Sequence, residues 1–281
     1  MSRRLVVGLT IAAMLAFAGN SLLCRLALRT TTIDAASFTA VRLISGAATL
    51  LAIVVLRAGL AATKGAGSWG SALSLFTYAA GFSFAYRELP AATGALLLFG
   101  AVQATMIGVG LLRGERLGAR KGLGLVIAVG GLVALLLPGL AAPPMRGAAL
   151  MLAAGAAWGV YSLRGRGAGD PTAVTAGNFV RAVVPAVALG AATWSGFSVD
   201  RAGVAYAVAS GAVTSGCGYA IWYTALRGLS ATTAATVQLS VPVLATVGGA
   251  MLLGEPVTVR LVASSVAVLG GIAIVTAASA R

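Results

Sequence analysis

The chain has 281 residues, of which 59% are hydrophobic and only 9% charged, and its mean hydropathy is +0.98. A soluble domain carries roughly a quarter charged residues, so this composition excludes a soluble globular enzyme or binding module and places the chain among membrane proteins. The net charge of +14 does not point to nucleic acid, because the basic residues stand singly or in small groups between apolar runs, as membrane-flanking charges do.

Taken in order, the chain opens with Arg3 and Arg4 and a charge-free run from Leu5 to Cys24. Ala16-Phe17-Ala18 also fits a signal-peptidase site, which makes a cleaved leader the competing reading of a run otherwise long enough to span. Further charge-free windows cover 65–86, 89–112, 122–145, 147–163, 202–226, 228–254 and 261–280. Two more apolar runs, near 36–56 and 172–194, hold one charge each, Arg42 and Arg181. A spanning helix needs about 20 apolar residues, so the expectation is ten spans with no linker long enough for a soluble domain. Twelve of the 20 Lys and Arg fall on the side of the termini, six on the other, and two inside spans. The positive-inside rule then puts both termini in the cytoplasm of a bacterial-type inner membrane.

The runs repeat. From Arg87 the chain reads Arg-Glu-Leu-Pro-Ala-Ala-Thr-Gly-Ala, continues to Gly114-Glu115 and closes on Gly130-Gly131. From Arg227 it reads Arg-Gly-Leu-Ser-Ala-Thr-Thr-Ala-Ala, continues to Gly254-Glu255 and closes on Gly270-Gly271, at a constant offset of 140. Earlier, Phe17-Ala-Gly-Asn20-Ser-Leu matches Trp158-Gly-Val-Tyr161-Ser-Leu, and Val41-Arg42 matches Val180-Arg181. The expected fold is therefore an all-α membrane protein of ten transmembrane helices in two five-helix repeats, residues 1–140 and 141–281. Five is odd, so the second copy enters the membrane inverted, as recurs in secondary transporters with a central site.

The sequence resembles the ten-span branch of the drug/metabolite transporter superfamily, with two EamA-type repeats. The resemblance is carried by Tyr219-Ala-Ile-Trp222-Tyr223-Thr-Ala-Leu-Arg227, the Pro242 run, Leu-Leu-Gly-Glu255-Pro256 and Leu269-Gly270-Gly271. In the first half it rests on Leu-Arg-Gly114-Glu115-Arg-Leu and the intramembrane Arg42. It implies alternating access and export of metabolites or amino acids, with a small-molecule substrate, the lipid bilayer as surroundings and no cofactor. Where the family often has a proline in span 4, this chain has Val102-Gln103.

The absence of histidine removes imidazole ligands, His bases and His-containing dyads, and no metal site, catalytic constellation or nucleic-acid interface is expected. Cys24 and Cys217 fall within or at the end of apolar runs, so no disulfide framework is expected. The six acids, Asp34, Glu88, Glu115, Asp170, Asp200 and Glu255, all fall at span boundaries. Asp34 and Asp170 read as helix N-caps, the latter followed by Pro171, and Glu115 and Glu255 as cap or turn contacts. With no carboxylate at mid-depth, the membrane-glutamate antiport of the small multidrug branch is not expected here.

Arg42 and Arg181 occupy equivalent positions. They either snorkel and cap carbonyls, as structural or gating residues together with Pro242, or supply counter-charge to an anionic substrate group. Gly155/Gly159 and Gly118/Gly122 have the spacing of close helix packing. Tyr86, Tyr161, Trp222 and Tyr223 read as interfacial belt residues. Tyr78, Phe82, Phe99, Gln103, Trp158, Tyr219 and Gln238 are the candidate substrate-binding residues, because a mid-depth amide is costly unless it faces the interior. Such walls suit a neutral or zwitterionic solute with an apolar part, hence amino acids, aromatic ones included. A nucleotide-sugar or other metabolite exchanger is the alternative within the class, and a structural membrane protein the alternative outside it. If the repeats are inverted, cysteines placed at 115 and 255 in a Cys-free background label from opposite sides of the membrane; labelling of both from one side would rule inversion out.

Overall fold

Every apolar run becomes a helix, because a backbone crossing hydrocarbon has to satisfy its N–H and C=O groups within the segment. In the computed structural model, residues 1–112, 114, 118–139, 142–165, 169–229 and 231–278 are described, with no strand among them; Glu115 lies outside them. The helices are α1 Arg3–Thr30, α2 Ala35–Ala58, α3 Trp69–Tyr86, α4 Ala91–Leu112, α5 Ala119–Leu136, α6 Met145–Arg164, α7 Pro171–Ala192 and α8 Arg201–Leu226. They continue with α9, in two pieces Ala231–Gln238 and Ser240–Leu253, and α10 Val259–Ala278. Eight of these are long and apolar enough to cross a membrane. The other two, α3 and α6, carry Ser71, Ser74 and Ser83, or Arg146 and Arg164.

The starts follow local chemistry. Asp34 Oδ1 accepts from the Ala36 and Ser37 amides, and Asp170 Oδ1 from Thr172 with Pro171 in the first turn. Two helices depart from α-geometry. Pro242 has no N–H for the Gln238 carbonyl and its ring crowds that carbonyl, which breaks α9 at Leu239. No proline interrupts α4, which runs through Val102-Gln103. In α8, Ala209–Cys217 is a π-helix. Its Gly211 lies against the Arg42 carbonyl and Ser45 Oγ of α2, where a Cβ would collide.

The connections alternate between two ends of the bundle. At one end the Asp34 amide donates to the Ser198 carbonyl, the Gly147 amide to Glu88 Oε2 and Arg260 Nη1 to the Leu137 carbonyl. These bonds join the odd-numbered connections. At the other end the Ser68 amide donates to Asn178 Oδ1 and Arg181 Nη1 to the Ala66 carbonyl. The contacts between α1–α5 and α6–α10 pair α2 with α7, α4 with α9 and α5 with α10. They also pair α3 with α6 and α1 with α8, α4 with α6 and α1 with α9, and α3 with α7 and α2 with α8. Apart from a further contact of α4 with α10, that set is unchanged when each helix is exchanged for the one five places on.

Small residues set the closest approaches. A Cβ on Gly155 would lie 2.6 Å from Ala101 Cβ, and one on Gly159 2.8 Å from Thr105 Cβ, so α6 packs on α4 through them. Gly118 and Gly122, expected to act likewise, have nothing within 4 Å. The α5–α10 contact runs through Gly124, Gly131 and Gly271 instead: a Cβ on Gly124 would lie 2.6 Å from the Gly271 carbonyl. Spacing alone cannot say which of several glycine faces meets a neighbour. Cys24 and Cys217 are free.

Asp34 joins the first connection to the seventh, its Oδ2 accepting from the Ser198 amide at 3.1 Å. Burial pushes its carboxyl up, but hydrogen bonds from the Ser37 hydroxyl and the Ser37, Ser198 and Ala36 amides outweigh that and hold it below its ordinary 3.8. A lowered folded-state pKa gives stability that is present above the unfolded value and lost as pH falls through the folded one. Asp34→Ala is therefore expected to destabilise by about 1 kcal/mol, the usual cost of an N-cap. Its thermal-unfolding deficit in detergent should shrink below about pH 4; a deficit independent of pH would show that the carboxylate is not what holds this junction.

Candidate functional site

Between the two sets of helices lies a cavity of about 420 Å³. That falls in the range of roughly 300–1,000 Å³ usual for small-molecule sites. The structure brings all seven candidate residues to its walls: Tyr78 and Phe82 from α3, Phe99 and Gln103 from α4, Trp158 from α6, Tyr219 from α8 and Gln238 from the break in α9. The rings form a connected wall. Trp158 packs on Tyr78 at 4.7 Å and stacks on Tyr161 at 5.2 Å and Tyr219 at 5.4 Å, while Phe17 meets Tyr219 and Trp222 at 5.8 and 5.9 Å.

Three residues read as belt positions belong to this wall. Tyr161, Trp222 and Tyr223 line the cavity, and the first two are buried. Tyr86, read the same way, is fully buried, its hydroxyl donating to the Ala91 carbonyl at 3.3 Å. Depth along a span cannot separate belt from cavity mouth, because both lie near helix ends; rotation about the helix axis does.

Two hydrogen-bonded clusters flank the rings. Toward the odd-connection end, Asn20 Nδ2 donates to the Tyr78 hydroxyl at 3.3 Å, while Asn20 Oδ1 accepts from Ser210 Oγ at 2.7 Å and Thr214 Oγ1 at 3.3 Å. Ser210 and Thr214 sit on the π-helical segment of α8. Toward the even-connection end, Thr175 Oγ1 donates to the Tyr223 hydroxyl at 3.1 Å and Asn178 Nδ2 to Tyr161 at 3.3 Å. Asn20, Thr175, Asn178 and Thr214 were not among the candidates. A simple count would have found two of them: the chain has four side-chain amides, Asn20, Gln103, Asn178 and Gln238, and all four line this cavity. Gln103 and Gln238 make no hydrogen bond to another described residue, so their capacity stays free for a solute.

The matched arginines differ. Arg181 Nη1 donates to the Ala66 and Gly177 carbonyls at 2.6 and 2.9 Å, the capping role. Arg42 is 1% exposed, behind Tyr78 and Phe82, and its guanidinium carbon lies 5.2 and 4.9 Å from their ring centroids. Among the described residues, no Asp, Glu, Lys or Arg lines the cavity itself and no group of three or more metal-ligating side chains occurs.

The cavity reaches one end only. Its walls extend to Gly165, Pro171 and Leu226, at the even connections. The odd end is held by Glu255, whose Oε1 accepts from Arg25 Nε at 2.9 Å and whose Oε2 accepts from the Ala91 amide at 2.7 Å. Arg25 Nη1 also donates to the Tyr86 carbonyl at 2.8 Å, and Arg29 Nη1 to the Leu253 carbonyl at 2.7 Å. Gly254, left-handed at φ 62°, turns the end of α9 so that Glu255 faces inward. Glu255 thus caps α4 rather than its own helix, and ties α1, α4 and α9 together.

Comparison with known proteins bears on this arrangement. The profile of the EamA-like transporter family matches residues 145–277. The uncharacterized protein PA1977 of Pseudomonas aeruginosa is 58% identical over 277 residues, 99% of this chain and 96% of its own. The threonine/homoserine exporter RhtA of Salmonella typhimurium is 38% identical over 121 residues, 41% of this chain and 39% of its own, and RhtA of Escherichia coli matches over the same extent. A crystal structure superposes with a TM-score of 0.70 at 20% identity, over 98% of this chain and 99% of its own, which shows the fold. The chain belongs to the EamA-like transporter family and is a multi-pass membrane protein.

A nearly buried ion pair tying α1 to the α9 end should favour the state closed at the odd end. Glu255→Gln keeps the shape and the Ala91 contact but loses the charge. In a Cys-free background it is expected to speed labelling of a cysteine at position 21 from the odd-connection side about tenfold, equivalent to about 1.4 kcal/mol. Unchanged labelling would reduce the pair to a purely structural contact.

Proposed function

We propose that this EamA-like transporter exports amino acids or similar zwitterionic metabolites by alternating access between two inverted five-helix halves, residues 1–140 and 141–281. The observation that carries the reading is the cavity between the halves, which among the described residues has aromatic walls, two unbonded glutamine amides and no ionised side chain on its surface, with one end reached and the other held by Arg25–Glu255. Rings take an apolar side chain by stacking and burial, and free amides serve both as donors and as acceptors. The amino-acid reading draws support from the exporter named among the relatives.

With both termini on the cytoplasmic face of an inner membrane, as the basic residues favour, the even connections are cytoplasmic and the cavity faces the side from which an exporter loads. Gly254-Glu255 supplies the lock in this state. Pro242 supplies a bend in α9, and its freed Gln238 carbonyl offers a second acceptor at the break. Tyr78, Phe82, Phe99, Gln103, Trp158, Tyr219 and Gln238 contact the solute, with the bilayer as the only other partner, and the protein performs no chemistry. A nucleotide sugar carries a diphosphate that calls for several cations on the wall, and no described residue of the wall is one.

The test is counterflow in proteoliposomes. Vesicles preloaded with unlabelled L-threonine or L-tryptophan are expected to take up the labelled amino acid with no imposed pH gradient, since no titratable carboxylate lies at mid-depth. Gln103→Leu and Gln238→Leu are each expected to weaken half-saturation several-fold at unchanged thermal stability, the loss of about 1 kcal/mol for one hydrogen bond. Absence of counterflow, or a strict requirement for an imposed proton gradient, would overturn the reading.

A further inference from the structure

The hydrogen bonds at the closed end of the cavity run in one direction. Arg42 Nη2 donates to the Tyr78 hydroxyl oxygen at 3.0 Å, and Asn20 Nδ2 donates to the same oxygen at 3.3 Å. Neither nitrogen accepts, so the oxygen's acceptor capacity is taken. Its own proton is left over, and no described residue receives it. Asn20 is fixed from behind, because its carbonyl oxygen is held by Ser210 and Thr214.

Arg42 adds charge to this arrangement. Its Nε reaches Ser215 Oγ at 3.4 Å, and its Nη1 is the buried side-chain atom without a partner among the described residues. The ion pairs among the described residues join Arg25 and Arg29 to Glu255, at the bundle end, and none involves Arg42. The faces of Tyr78 and Phe82 offset part of the cost of burying the guanidinium, but an aromatic face does not neutralise it. The closed end therefore presents a surplus of donors and one uncompensated positive charge, in a cavity whose walls carry no acid among the described residues.

We infer that this end is a carboxylate-selective subsite, in which the Tyr78 hydroxyl donates to a carboxylate oxygen of the solute and Arg42, acting through Tyr78, is the positioning residue that supplies the charge. The inference rests on the reading of the chain as a solute transporter and narrows its substrates to carboxylates. Amines and neutral amides with the same side chain fail here, because they bring no negative charge to offset Arg42.

The test compares pairs that differ only at the carboxylate. In proteoliposomes carrying the full chain, L-threonine against L-threoninamide and L-tryptophan against tryptamine compete for uptake of the labelled amino acid. The wild type is expected to prefer the acid at least tenfold, the scale of a hydrogen bond to a charged group. Tyr78→Phe, which keeps the ring, should lower that preference roughly tenfold by weakening the acid alone. Asn20→Asp, which brings a carboxylate to the cluster, should abolish or invert it, with thermal stability recorded for both. Equal competition by carboxylate-free analogues in the wild type, or an equal loss for acid and analogue in Tyr78→Phe, overturns the subsite while leaving the transporter reading standing. Failure of either amino acid to move at all overturns the transporter reading and the subsite together.

Discussion

Hydrocarbon offers no hydrogen bonds, so a polar side chain at mid-depth has to be met by protein or by something the protein binds. That constraint organises this bundle. Asn20, Ser210, Thr214, Ser215, Tyr78 and Arg42 come from α1, α8, α3 and α2, yet they form one connected cluster. Assembling it requires α8 to come very close to α2, which Gly211 permits. The π-helical segment places Ser210, Thr214 and Ser215 where Asn20 and Arg42 need them, and local departures of this kind occur often at functional positions. The cavity is what remains when the polar groups are gathered and the rings are stacked around them.

Matched positions in the two sets of five helices do not adopt matched structure, and several of the departures fall at the cavity. The pairing of helices is unchanged on exchanging the two sets except for the α4–α10 contact, but α9 is broken by Pro242 while α4 is continuous, and α8 carries a π-helical stretch while α3 does not. Arg181 caps carbonyls near the even end, whereas its mate Arg42 is sealed behind two rings. The ion pair at the odd end belongs to the same asymmetry. Glu255 holds α1 and α4 at once, and its burial among donors makes the closed end a discrete arrangement that is either made or broken.

Much of the fold was legible in the sequence. Hydropathy and length marked the helices, since a span has to be apolar and about 20 residues long wherever it packs. Acidic and glycine residues marked the helix ends, as Asp34, Asp170 and Gly254 illustrate, because caps are made by neighbours in the chain. The seven candidate residues were chosen on a similarly local ground, the cost of a polar or amphipathic group at mid-depth, and tertiary folding brought them to one cavity.

What the sequence determined by itself is what depends on one helix at a time: which segments are helical, which residues cap several of their ends and which residues lie at mid-depth. What the tertiary structure decided is which way each helix is turned and what it meets. It moved Tyr161, Trp222 and Tyr223 from an expected lipid boundary to the cavity wall, left Gly118 and Gly122 without a neighbour while pressing Gly124 against Gly271, and gave two aligned arginines different surroundings. The reason is that a uniformly apolar helix has little amphipathic signal to fix its rotation, since lipid and protein interior are equally apolar; only shape and hydrogen bonding among all ten helices select the face.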